Sequence, residues 1–142
     1  MEGGKVVPDA SVVVKWFVEE GYSHEAKLLR DAYANGLVDI AVPSLLPYEV
    51  LNALKHSGAF GEEELKEVAK VLEDLQFTLY ELRGELVARS VELAMRKGIT
   101  IYDASYVVLA QILSVEFYTA DERLVRKLRG LNFVKHIAQF KI

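Results

Sequence analysis

The 142-residue chain is 51% hydrophobic and 27% charged, enough apolar material for one domain, residues 1–142, with a sizeable core, and not the composition of a disordered chain. It has no cysteine, which excludes disulfides, thiolate metal sites and a cysteine nucleophile; no apolar run reaches the roughly 18 residues that cross a bilayer, and no secretory signal opens the chain, so a cytoplasmic location is expected. The formal net charge of -4 is not the footprint of a general nucleic-acid binder.

Lys5-Val6-Val7-Pro8 reads as a short strand, with Pro8 at its end because proline cannot donate to a ladder. A helix is expected from Val12 to Phe17, capped by Asp9 or Ser11, and a second from Ser23 to Ala34, stopped by Asn35-Gly36. Ile40-Ala41-Val42 is the second strand. The next helix runs from about Ser44 to His56, with Pro47 in its first turn, where a missing N–H costs little. Glu62 to Leu75 is amphipathic, with Leu65, Val68, Leu72 and Leu75 on one face. Phe77 to Tyr80 reads as a strand, and Glu85 to Lys97 as a helix closed by Gly98. Ile99 to Tyr102 reads as an extended connection, and Asp103 as the N-cap of an apolar helix through Leu113. A helix that is apolar all round is buried. Val115 to Tyr118 is the fourth strand, Glu122 to Arg129 a short helix, and Phe133 to Ile137 a last strand. Strands alternating with helices predict an α/β domain with a mostly parallel sheet covered on both faces.

In open parallel sheets, active sites form beyond the carboxyl ends of the strands. Asp9 follows the first strand, Asp121 the fourth, Glu49 lies early in the helix after the second, and Asp103 opens the helix that leads into the fourth. All four acids can face one edge of the sheet. Clustered carboxylates raise one another's pKa, and a hard divalent cation relieves the repulsion. Mg²⁺ or Mn²⁺ on oxygen ligands activates water and stabilises charge on a phosphoryl group, so hydrolysis of a phosphodiester is the predicted chemistry. Ser11, Thr119 and Asn52 are candidates to orient such ligands. Arg123 and Arg126 share a helical face beside Asp121 and are candidates for substrate phosphates, as are Lys15 and Lys55.

Each residue also has a plainer role. Asp9, Asp103 and Asp121 can be helix caps, Glu49 a solvated surface acid, Ser11 and Thr119 local hydrogen-bonding groups, and the basic residues a solvated helix end. It is the joint occurrence at matching topological positions that favours a site. His24, His56 and His136 lack zinc-ligand spacing, and no phosphate-cradling glycine loop or G-x-S-x-G nucleophile signature is present.

The motifs Val7-Pro8-Asp9-Ala10-Ser11-Val12, Pro47-Tyr48-Glu49-Val50-Leu51-Asn52-Ala53-Leu54, Tyr102-Asp103-Ala104-Ser105-Tyr106-Val107-Val108-Leu109-Ala110 and Tyr118-Thr119-Ala120-Asp121-Glu122-Arg123-Leu124 together resemble the PIN domain, and within it the VapC-type ribonuclease toxins of toxin–antitoxin pairs. The resemblance covers nearly the whole chain; Pro8 departs from it, at a place usually held by an aliphatic residue. It implies a central five-stranded sheet of order 3-2-1-4-5, with Asp9, Glu49, Asp103 and Asp121 as ligands of Mg²⁺ or Mn²⁺. It further implies endonucleolytic cleavage of RNA, a homodimer and a small cognate antitoxin, with the Leu45 to Leu75 stretch near both protein contacts. The rival expectations are a catalytically weak binding module of the same fold and a receiver-like phospho-acceptor. The latter wants an acidic doublet ahead of the first helix, and Asp9 has no acidic neighbour.

Overall fold

The computed structural model describes residues 4–142. Five strands, β1 (Gly4–Pro8), β2 (Val38–Pro43), β3 (Thr78–Tyr80), β4 (Glu116–Thr119) and β5 (Val134–His136), form one sheet of order β3-β2-β1-β4-β5. Every pairing is parallel, so the expected order and direction are both found. Neighbouring strand residues point to opposite faces. In central β1 both Val6 and Val7 are fully buried, so both faces are covered, as parallel sheets require.

The helices are α1 (Ala10–Val13), α2 (Ser23–Ala34), α3 (Leu46–Ser57), α4 (Glu62–Leu75), α5 (Gly84–Lys97), α6 (Ile101–Leu113) and α7 (Glu122–Lys127), with short 3-10 turns at Val14–Trp16 and Ile137–Gln139. Helix α6 lies against β1, β2 and β4, and α5 packs on α6. Helix α2 lies against β2, and α1 against β1 and β4. Ala104 through Ala110 of α6 are all buried, as its apolar run requires. Cutting large side chains down in such a core costs about 2–5 kcal/mol each, so α6 is a rigid post. Among the described residues no helix is long and apolar enough to cross a membrane.

Most element ends fall within two residues of expectation, and two regions differ. Helix α6 begins at Ile101, not at Asp103, because Thr100 is the N-cap: its Oγ1 accepts the Asp103 N–H at 3.0 Å. Asp103 is therefore the third residue inside the helix, and its carboxylate is released from capping. The first helix starts at Ala10 rather than Val12, because Asp9 caps it by accepting the Ser11 N–H, and it tightens into the 3-10 turn before reaching Phe17.

Pro8 closes β1 without breaking the sheet. The register with β2 ends at Val6↔Ile40, while that with β4 continues to Pro8↔Tyr118. The next amide, Asp9 N–H, donates to the Tyr118 carbonyl at 3.0 Å. Strand β1 thus hands the chain to Asp9 while still held to β4.

Candidate active site

Asp9 emerges where β1 ends, and Thr119 is the last residue of β4 beside it. The Ser11 hydroxyl donates to Asp9 Oδ1, lies 3.3 Å from Thr119 Oγ1 and accepts the Ala120 N–H at 2.9 Å. Thr119 Oγ1 in turn accepts the Asp121 N–H at 3.1 Å. Asp121 caps α7 by accepting the Leu124 N–H at 3.1 Å. A continuous hydroxyl and amide network therefore ties Asp9 to Asp121 across the β1–β4 seam. Ser11 and Thr119, both candidates from the sequence, are members of this network.

Glu49 lies in the first turn of α3, and its Oε1 accepts the Tyr106 hydroxyl at 2.7 Å. Tyr106 is part of the buried run of α6. One turn earlier on the same helix is Asp103, half-buried. An open hollow of about 400 Å³ is lined by Ser11, Lys15, Glu20, Glu49, Ala53 and Asp121, together with Ala10, Val14 and Ala120. Asn52 is exposed on α3 and is not among these lining residues. Arg123 and Arg126 are exposed on α7, also outside the lining.

Burial pushes the Asp9 carboxyl up to about 7, against the opposing hydrogen bonds from Ser11 and Thr119, and the Asp103 charge adds to the rise. Burial likewise raises Glu49, with the Tyr106 hydrogen bond opposing and Asp103 again adding. Asp103 is raised by burial, opposed by the Thr100 hydrogen bond, and raised further by Asp121. Asp103 is thus the acid whose charge couples to each of the other three. Sequence reasoning missed the roles of Tyr106 and of Lys127, the latter read only as one of the basic residues clustered after Asp121. Tyr106 is the group that fixes Glu49; Lys127 is the cation whose charge lowers Asp103, with its Nζ on the Gly98 carbonyl at 2.8 Å.

The donors are carboxylate and hydroxyl oxygens, the chemistry that hard divalent cations take. Among the described residues no group of three His, Asp or Glu side chains stands close enough to enclose an ion between them. The set therefore suits a cation that keeps several waters and takes one or two carboxylates, as Mg²⁺ does.

A parallel sheet of order 3-2-1-4-5 covered by helices, with candidate acids at the carboxyl ends of its strands, defines the class of α/β domain. The chain belongs to the PIN domain family, whose profile matches residues 6–129. It is 32% identical to "Ribonuclease VapC3" of Pyrobaculum aerophilum, over 89% of this chain and 97% of that one. Among solved structures it is similar to a toxin-antitoxin complex from Klebsiella pneumoniae, with a TM-score of 0.70 at 18% identity over 96% of this chain and 99% of that one. It is also similar to VapBC2 from Rickettsia felis bound to a promoter DNA fragment, with a TM-score of 0.63 at 12% identity over 93% and 96% of the two chains. At these identities the structural likeness is one of fold.

Proposed function

We propose that this chain is a metal-dependent endoribonuclease, the toxin of a toxin–antitoxin pair, which hydrolyses RNA phosphodiesters at Asp9, Glu49, Asp103 and Asp121. The observation that carries the proposal is the hydrogen-bonded network that ties Asp9 to Asp121 across the β1–β4 seam, with Glu49 held by Tyr106 of α6, the helix whose first turn carries Asp103. Membership of the PIN family and a ribonuclease relative at 32% identity support it.

The family generally uses a divalent metal, and the residues proposed to hold Mg²⁺ or Mn²⁺ here are Asp9, Asp103, Asp121 and Glu49, one or two of them directly and the others through the waters the ion keeps. When bound, the ion supplies an activated water and stabilises charge on the phosphoryl group. The chain's own residues do the positioning. Ser11 and Thr119 orient Asp9, Tyr106 fixes Glu49, and the Thr100 cap sets Asp103 at the head of α6. Arg123 and Arg126 are open on α7 to receive flanking phosphates.

The proposed protein partners are a second copy of the chain and a small antitoxin. An apolar groove of about 400 Å³, lined by Leu46, Pro47, Leu51, Leu72, Phe77 and Leu79 among others, offers contact surface within and just beyond the Leu45 to Leu75 stretch. On this reading residues 1–142 act as one domain in the cytoplasm, where the RNA is.

The test is cleavage of RNA with Mg²⁺ or Mn²⁺ by the parent and by Asp103→Asn. Because Thr100, not Asp103, caps α6, the variant is expected to keep its fold and lose cleavage by a factor of hundreds or more. Undiminished cleavage would overturn the assignment. RNA binding by the parent without cleavage would point to the binding-module alternative.

A further inference from the structure

We propose that Lys15 is an RNA-phosphate contact of this site, held in waiting by Glu20; the inference deepens the ribonuclease reading and rests on it. Lys15 stands in the 3-10 turn Val14–Trp16, directly after the short helix that Asp9 caps. Its side chain is only 10% exposed, and its Nζ lies 3.1 Å from Glu20 Oε1. Lysine is almost never buried unless paired, so the contact with Glu20 explains how the chain tolerates the charge there. It does not explain why the charge is there. The Glu20 side chain is 45% exposed, and solvent screens what such a partner contributes.

The location supplies the reason. Lys15 and Glu20 both line the hollow that Ser11, Glu49 and Asp121 share, and Lys15 is the only base among its lining residues. An RNA strand brings a row of anions to a wall that is otherwise acidic. It enters only where positive charge meets it. A nearly buried ammonium acts in a lower dielectric than the exposed Arg123 and Arg126 do, so each contact it makes is stronger. On binding, Lys15 exchanges the Glu20 carboxylate for a phosphate oxygen. One ion contact is lost and one is gained, and no charge is stranded, because the half-exposed Glu20 returns to water. Glu20 stays in place through its backbone, whose N–H donates to Ser23 Oγ at 2.9 Å.

The pair makes a prediction of opposite sign for its two members. Binding of a short, mixed-sequence, fluorescein-labelled single-stranded RNA is measured by anisotropy over a salt series, in an Asp103→Asn background so that cleavage does not consume the probe. Lys15→Gln is expected to weaken binding about tenfold and to flatten the logarithmic salt slope by about 0.7. Lys15→Arg keeps most of the affinity. Glu20→Gln tightens binding several-fold, because the competitor for Lys15 is gone. Parental affinity and slope in Lys15→Gln overturn the proposal, and so does a Glu20→Gln variant that weakens binding as Lys15→Gln does, since the pair then only braces the turn. If Lys15→Gln does not fold, the sign of the Glu20→Gln effect decides alone. A parent that binds no RNA overturns the ribonuclease reading and this contact with it; a parent that binds RNA regardless of Lys15 overturns this contact only.

Discussion

The Tyr106 hydroxyl donates to Glu49 Oε1 at 2.7 Å, joining residues 57 apart in sequence. The buried post of α6 therefore holds two of the candidate carboxylates: its own Asp103, and the Glu49 of α3 through Tyr106.

Tyr106→Phe keeps the buried ring and removes only that bond. Stability is expected to fall by about 1 kcal/mol, and RNA cleavage by about tenfold in kcat with little change in KM, because a positioning contact is lost and not a binding one. Burial raises the Glu49 pKa and the Tyr106 bond opposes it. Without the bond the carboxyl titrates higher still, so the acid limb of the pH–rate profile moves to higher pH. Initial rates across pH at fixed Mn²⁺ measure this, and an unmoved limb would remove Glu49 from the ionisations that control the rate.

Asp9 links stability to pH and metal. Its carboxyl titrates near 7 in the folded chain against 3.8 for the ordinary group. Between those values the folded state holds a proton that the unfolded state has lost, so stability falls as pH rises from about 4 to about 7. The loss is of the order of 2–4 kcal/mol in metal-free protein. Urea unfolding in EDTA is expected to show this decline in the parent and a flatter curve in Asp9→Asn, which is also the more stable of the two above pH 7. Added Mn²⁺ should stabilise the parent more at alkaline than at acid pH, since the ion competes with the proton for the same oxygens. A parent whose metal-free stability rises over that window contradicts the account of Asp9.

Thr100→Ala removes the cap of α6 and the partner of the Asp103 N–H. The expected loss is about 1 kcal/mol of stability, and cleavage falls as well because Asp103 sits in the turn that frays. The Thr100 hydroxyl also acts on the Asp103 carboxyl itself, as a side-chain hydrogen bond that opposes the rise in its pKa, so the variant's carboxyl titrates higher. Thr100→Ser restores all three. Thermal unfolding and cleavage by the two variants together separate a capping role from a mere packing one.

Much of this was legible in the sequence for identifiable reasons. Val6-Val7 and Phe117-Tyr118 are apolar runs too short for helices, and the glycines at 58 and 98 stop helices in the left-handed conformation, at φ 77° and 64°. Asp9 and Asp121 stand out because each follows a strand and opens a helix. The cap of α6 is misread because Thr100, β-branched and next to Ile99 and Ile101, has the character of a strand; only the Asp103 N–H pointing back at it shows its role. Tyr106 is hidden in an apolar run, where its ring reads as core. The one available signal was that a buried tyrosine hydroxyl needs a partner, and the sequence does not say which. Lys127 reads as one of several cations on a surface helix until the fold brings it to the Gly98 carbonyl beside the head of α6.

The bond from the Ala120 N–H to Ser11 Oγ spans 109 residues, and it bears on the order in which the chain is made. Asp9 is synthesised well before Thr119 and Asp121. Its seat against β4, its link to Thr119 and its companion Asp121 arrive only after α6 has been made. A growing polypeptide that has already produced Asp9, Glu49 and Asp103 still has a bare edge on β1 and three unmatched acids. On the proposed reading, the site stays incomplete until β4 and Asp121 have been made.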